Sequence, residues 1–268
     1  SNKNNKTRKN KNEYFVAIPT YKRYEQVYNK SILTLLNHKV PVNKIHIFVA
    51  NKKEEELYKK ALPKGSYHKI IIGVLGIQNQ RNFIVKYFKE GTKVLFMDDD
   101  VERVDKLHGD KFKHISNLDK FIKDAFKECI EKDIYLWGIY PVRNAFFMKP
   151  RPKKSYGLRF ILGAFYGQII RHSKNLIMKL EQKVDIENSI LHYKKDGGLL
   201  RFEKVAIKTK YFNPKGGLIE LMKNNRMKIN ETSAKKLERL YPEYGHVWQR
   251  QNGKYEFKLN VLPYIPSK

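Results

Sequence analysis

Three adjacent carboxylates, Asp98, Asp99 and Asp100, follow the apolar run Val94-Leu95-Phe96-Met97 without a spacer. Like charges this close repel one another and are costly unless a cation or hydrogen-bond donors lie among them. Along an extended chain alternate residues point the same way, so Asp98 and Asp100 share a side. Hard oxygen ligands at that spacing suit Mg²⁺ or Mn²⁺, which take one or two protein carboxylates and complete their shells with substrate phosphates. A solvated acidic turn is the plain alternative. A second acidic pair, Asp185 and Glu187, opens a helical segment that stops at Gly197-Gly198. Asp185 could do no more there than cap the helix.

Short apolar runs predict strands over 14–18, 45–50, 69–74 and 94–97, with helices over 25–37, 52–62 and 78–89 between them. This β-α-β-α-β-α-β order implies a parallel sheet with helices on both faces, whose ligands bind at the carboxyl ends of the strands. The loop Ile18-Pro19-Thr20-Tyr21-Lys22-Arg23 then opens at the same edge as the aspartate triplet. Thr20, Lys22 and Arg23 suit a nucleotide's base or phosphates. There is no G-x-G-x-x-G and no P-loop, which argues against dinucleotide and ATPase sites. Further on, Ser116 with Asp119 resembles a capping box for a helix over 116–132. Leu118, Phe121, Ile122, Ala125, Phe126, Cys129 and Ile130 form its apolar stripe, so Cys129 is expected in the core. Strands and loops are expected over 134–142, 144–148 and 159–171, a helix over 185–195, a strand over 199–207, a helix over 232–241 and a strand over 255–261. There is no internal repeat.

The chain has 268 residues, with 55 Lys and Arg against 27 Asp and Glu, a net charge of +28. Residues 1–12 read as a disordered basic arm that carries five of those charges, leaving +23 on the rest. Hydrophobic content of 41% and aromatic content of 13% are enough for a packed core. The charge calls for a polyanion, an anionic surface or phosphate-bearing small molecules, although a lysine-rich codon bias would also raise it. A single cysteine excludes intramolecular disulfides and cysteine-rich zinc sites, so a reducing, cytoplasmic setting is expected. No apolar run approaches the ~20 residues of a membrane span, and no signal-peptide core follows the N-terminus, so no integral membrane contact is expected.

Three segments in order, Ala17-Ile18-Pro19-Thr20-Tyr21-Lys22-Arg23, Asn79-Gln80-Arg81-Asn82 and Leu95-Phe96-Met97-Asp98-Asp99-Asp100, resemble the donor half of GT-A glycosyltransferases. The resemblance covers roughly residues 14 to 104. It implies an α/β, Rossmann-like, mostly parallel sheet flanked by helices, with a mixed C-terminal acceptor-side half. The expected organisation is one catalytic domain over 13–268, with a nucleotide-sugar half (13–104) and an acceptor half (105–268). The resemblance implies a nucleotide-sugar donor, foremost a UDP-sugar, held by Pro19, Thr20, Tyr21, Arg23, Asn51, Arg81, Asn82, Asp98 and Asp99. It implies Mn²⁺ or Mg²⁺ on Asp98 and Asp100, with a late histidine, His246 ahead of His192, as a further ligand. The segment from Val184-Asp185 resembles the acidic opening of the late helix of inverting GT-A enzymes, although the usual Glu-Asp is Val-Asp here. Asp185 would be the catalytic base and Glu187 the second candidate; such a base takes the proton of a hydroxyl in line with the anomeric carbon. Trp137 and Trp248 are expected to pack, and either could floor a sugar.

The later segments, residues 135–144, 195–202 and 253–258 among them, look like the TET-associated glycosyltransferases of phages and related genomes. That resemblance implies a phage- or virus-encoded enzyme whose acceptor is a hydroxymethylated pyrimidine in DNA, 5-hydroxymethylcytosine or 5-hydroxymethyluracil. Arg143, Asn144, Lys149, Arg151, Lys153, Lys154 and Arg159, with Tyr156 among them, are the expected DNA-binding cluster, and Lys208, Lys210, Lys215 and Arg226 add to it. The rival readings are the same donor chemistry on a glycan, lipid or protein, and a catalytically inactive nucleic-acid-binding protein of GT-A-like fold.

Overall fold

The computed structural model describes residues 13–209 and 225–266, without the side chain of Arg226. The basic arm, Lys210, Lys215 and the side chain of Arg226 therefore lie outside the described residues.

The central sheet has eight strands: β1 (Phe15–Pro19), β2 (Ile45–Val49), β3 (Lys69–Ile72), β4 (Lys93–Met97), β7 (Leu136–Ile139), β8 (Lys154–Ser155), β9 (Phe165–Ile169) and β10 (Leu200–Phe202). Their order is β3-β2-β1-β4-β9-β7-β10-β8. The first four are mutually parallel, β9 runs antiparallel between β4 and β7, and β10 is parallel to β7. Chain order reverses about β1, with β2 on one side and β4 on the other. In open α/β sheets ligands bind at such a switch point, outside the carboxyl ends of the strands. Thr20 and the aspartate triplet flank that point.

Helices α3 (Lys52–Ala61), α4 (Ile77–Tyr87) and α5 (Leu118–Glu131) pack on the sheet much as the apolar spacing predicts. The first predicted helix is one rod of three parts: α1 (Tyr24–Val27), a π-helical turn (Tyr28–Ile32) and α2 (Leu33–Asn37). The cap of α5 is Asn117, which accepts from Lys120 N–H at 2.9 Å, in place of the Ser116–Asp119 box. Asp119 instead accepts from Tyr14 and Lys123. Cys129 is buried, whereas Ile130 falls off the stripe and is exposed.

Two small sheets were not foreseen. The antiparallel sheet β11-β5-β6 comprises β5 (Val101–His108), β6 (Lys111–His114) and β11 (Val205–Thr209). The single strand expected over 199–207 thus breaks at Glu203-Lys204, because its halves belong to different sheets. The hairpin of β12 (Gly245–Gln249) and β13 (Tyr255–Leu259) packs with α8 (Arg226–Leu240), which begins earlier than the pattern suggests. Residues 145–148 form a helical turn, α6 (Ala145–Met148). Helix α7 (Val184–Asp196) ends on Gly197, whose φ of +68° suits a residue without Cβ. Among the described residues no helix is long and apolar enough to cross a membrane.

Candidate active site

The end of β1 is tied to the end of β4 through Asp99. Its carboxylate accepts from Thr20 Oγ1 at 2.7 Å and from Arg23 Nη1 at 3.1 Å. Tyr58 of α3 supports the same loop from beneath, sharing a hydrogen bond with Thr20 at 2.7 Å and accepting from Arg23 N–H at 2.9 Å. Glu54 accepts from Lys22 N–H at 2.8 Å. On the other side, Ser31 in the π-turn donates to the Asp98 carbonyl at 2.6 Å and accepts from Val101 N–H at 3.0 Å. The widened turn thus brackets the triplet with one hydroxyl; π-turns recur at functional sites for such reasons.

Asp98 and Asp100 line the cleft between the β1 and β4 ends, with Thr20, Tyr21, Arg23 and Arg81. The cleft has a volume of about 160 Å³ and an apolar wall of Ala50, Val74, Leu75 and Ile77. The wall was not anticipated, because Val74 was expected in a strand and β3 ends at Ile72.

Arg81 is buried beneath the cleft. It donates to Gly163 O at 2.8 Å and lies 3.6 Å from Asp98 Oδ1. A Cβ on Gly163 would stand 2.7 Å from both terminal guanidinium nitrogens, so a larger residue there would make the Arg81 guanidinium shift. The Gly163 N–H in turn serves Asp185, which also accepts from Ile186 N–H at 3.0 Å. One residue, through its N–H on one side and its carbonyl on the other, therefore links the arginine and the second acid. Asp185 is not the helix cap; that position is Lys183, and Asp185 lies inside the first turn. The Tyr166 ring lies 5.8 Å from the Arg81 guanidinium, and its buried hydroxyl has no hydrogen-bond partner among the described residues. Sequence reasoning flagged neither Gly163 nor Tyr166.

The electrostatics of this cluster are one-sided. Burial pushes the Asp98 carboxyl up to about 7; Arg81 pulls it back, and Asp100, Asp99 and Asp185 push it further. Burial likewise raises Asp99 to about 6, against the pull of Arg23 and the Thr20 hydrogen bond. Asp100 and Asp185 are also shifted upward, chiefly by burial. Four carboxylates face the guanidinium groups of Arg23 and Arg81, and nearby Lys30 is engaged by Glu102 at 3.5 Å. Carboxylates outnumber guanidinium groups here, an excess of negative charge that a bound cation would offset.

Among the described residues no group of three or more His, Cys, Asp and Glu is arranged to hold a metal. The donor set present is two cleft-facing carboxylates. That fits Mn²⁺ or Mg²⁺ when a diphosphate and water supply the remaining oxygens.

Several expected site residues lie elsewhere. His246 is mid-strand in β12, exposed and opposite Lys258, and is not among the cleft residues. His192 is a core residue whose imidazole burial lowers to a pKa of about 3. Glu187 accepts from Lys179 N–H, Leu180 N–H and Tyr241 hydroxyl, so it braces a loop and helix α8. Asn82 exchanges two hydrogen bonds with the Met178 backbone, and Asn51 caps α3. Trp137 is buried as expected, but Trp248 is 46% exposed.

The basic cluster over 143–159 is largely wired internally. Arg143 reaches Asp105 at 2.7 Å, Lys149 pairs with Asp110, and Lys154 pairs with Glu128 at 2.5 Å. Arg159 donates to the Leu158 and Leu262 carbonyls, and Asn144 caps α6. Arg151, over the Tyr140 ring, and Lys153 are the exposed remainder.

Comparison with known proteins adds the following. Glucosyl-3-phosphoglycerate synthase from Mycobacterium tuberculosis, solved with Mn²⁺, UDP and glucosyl-3-phosphoglycerate, is similar with a TM-score of 0.44 and 14% identity, covering 95% of this chain and 89% of that one. A mycobacterial protein gives a TM-score of 0.48 and 10% identity over 95% and 86% of the two chains. An active-site mutant of LgtC gives 0.39 and 13% over 69% and 71%. No curated protein matches the sequence. Residues 14–174, more than half of the chain and including the cleft, match the TET-associated glycosyltransferases, and the protein belongs to that family.

Proposed function

We propose that this glycosyltransferase moves a sugar from a UDP-sugar to a hydroxymethylated pyrimidine in DNA, in one inverting displacement with Asp185 as base. The observation that carries the reading is the meeting of Asp98, Arg81 and Asp185 at the carboxyl edge of the sheet. These residues come from three separate stretches of chain: Gly163 links Arg81 to Asp185, and Arg81 lies beside Asp98.

In this reading the donor's base lies along the wall of Ala50, Val74, Leu75 and Ile77, beside Tyr21, and Thr20 and Asp99 face its ribose. Asp98 and Asp100 would hold the divalent cation, which when bound neutralises charge on the diphosphate. Asp185 takes the proton of the acceptor hydroxyl. The freed oxygen electron pair forms the new bond to the anomeric carbon. The bond from that carbon to the diphosphate oxygen breaks, and its electron pair leaves with UDP. Because its raised pKa favours the protonated form, Asp185 becomes a better base as pH rises through that pKa. The nearby positive charge of Arg81 opposes this shift.

The DNA acceptor rests on the family and on the +28 net charge, since neutralising phosphates releases condensed counterions. The test is incubation with UDP-glucose and other UDP-hexoses, Mn²⁺ and hydroxymethylcytosine or hydroxymethyluracil DNA, read by mass spectrometry of the nucleosides. The expected result is a gain of one hexose on the modified base, abolished by chelator. Transfer to a glycan with none to DNA would assign the donor chemistry to another acceptor.

A further inference from the structure

A second cavity, of about 480 Å³, is lined by Asp185 and shares no lining residue with the donor cleft, which Asp98 and Arg81 line. Asp185 thus lines the second cavity while Gly163 links it to Arg81 of the donor cleft, the neighbourhood that a base serving a donor and an acceptor needs. The volume lies within the ~300–1,000 Å³ range of small-molecule sites. Phe160, Ile186 and Met227 give it an apolar side.

Its opposite side is cationic. Lys183 reaches Glu256 at 3.2 Å, and Arg250 and Lys254 reach the other oxygen of the same carboxylate at 3.2 Å each. Three cations share one acid, and two of them are about half exposed. Lys183 is held there by a left-handed backbone, with φ +60°, a conformation that costs a lysine energy and that clusters at functional sites. The adjoining face of α8 adds Lys228, Lys236 and Arg239. In the 143–159 cluster Arg143, Lys149 and Lys154 each have a carboxylate of their own, whereas here three cations divide a single one. An anion that enters here finds donors in excess.

We propose that this cavity is the acceptor pocket and that it takes a phosphate-bearing nucleotide of the DNA strand. The base lies against Phe160 and Met227 with its hydroxyl toward Asp185, and the neighbouring phosphate rests on Lys183, Arg250 and Lys254. The inference rests on the DNA reading above and relocates the acceptor from residues 143–159 to the mouth formed by α7, α8 and the β12–β13 hairpin. Charged phosphate contacts of this kind position a nucleic acid without reading its sequence.

The experiment compares Arg250→Ala/Lys254→Ala with Arg151→Ala/Lys153→Ala and with a surface control, Lys120→Ala/Lys127→Ala. Transfer to a hydroxymethylcytosine duplex is measured over a salt series, alongside UDP affinity with Mn²⁺. The first variant should raise KM for DNA about tenfold at ~150 mM salt and flatten the salt dependence of log K by about two, with kcat and UDP affinity within about twofold. The other two should stay within about twofold of the parent. If the parent modifies DNA but Arg250→Ala/Lys254→Ala leaves KM unchanged, or Arg151→Ala/Lys153→Ala raises it as much, the pocket assignment is wrong and the DNA reading stands. If the parent neither binds nor modifies DNA, both fall.

Discussion

Two acid sites stand seven residues apart in this chain and are built in opposite ways. Asp105, in β5, is 0% exposed and fully partnered. Arg103 grips it with two nitrogens, Arg143 donates at 2.7 Å, and His114 lies at 3.2 Å. Burial raises its pKa, but those guanidinium groups outweigh burial and hold it below the ordinary value. Asp98, at the end of β4, has one guanidinium at 3.6 Å and three carboxylates around it, and its side chain is 35% exposed. Its pKa goes the other way. A buried charge that builds the fold is given its counter-charges by the fold. One left short of them, at a switch point of the sheet, is kept for something the chain does not contain.

The comparison can be broken in four places. Asp185→Asn removes the base and should lower transfer about 10³-fold, within the ~10²–10⁴ range of general bases, with UDP affinity little changed. Near-normal turnover would dismiss it as the base. Asp105→Asn leaves Arg103 and Arg143 without their carboxylate, and the unfolding free energy should fall by about 3–5 kcal/mol in a urea titration at pH 7. A fall below ~1 kcal/mol would mean that this cluster is not structural. Gly163→Ala pushes against Arg81 and should cost about tenfold in transfer while the melting temperature moves little; full activity would show that the link through residue 163 is not needed.

The smallest effect is the most diagnostic. Asp98→Asn should leave the metal-free protein as stable as the parent or slightly more so at pH 7, because it removes repulsion. The signs follow from linkage. The raised pKa of about 7 means that metal-free folded protein holds this proton more tightly than the unfolded chain. Stability from Asp98 therefore falls as pH rises from about 4 to 7, and Asp98→Asn removes that slope. The lowered pKa of Asp105 acts oppositely: its contribution is present above about pH 4 and is lost as pH falls through its folded value. Melting curves from pH 4 to 8 separate the two.

The same contrast marks what the sequence could tell. Apolar runs at 14–18, 45–50 and 94–97 are buried parallel strands because a doubly covered sheet needs continuous hydrophobic segments, and that pattern is local. The triplet was legible because it follows such a run directly. What was not legible depended on partners distant in the chain. Arg143 looked like a DNA contact until Asp105 appeared 38 residues away as its acceptor. Glu187 looked like a spare base, yet its oxygens are taken by Lys179, Leu180 and Tyr241. Gly163 carried a faint signal, one of two glycines inside an apolar run, and the approach of Arg81 explains it. Ser31 carried none, since a π-turn has no signature in one sequence.

The central claim is that the donor cleft holds more carboxylate than cationic charge and so takes a divalent cation with its donor. Calorimetric titration of UDP into the protein, with and without Mn²⁺, tests it most directly. Mn²⁺ should tighten UDP binding by at least tenfold in the parent, and Asp98→Asn/Asp100→Asn should erase that gain. Equal UDP affinity with and without Mn²⁺ in the parent would contradict the account.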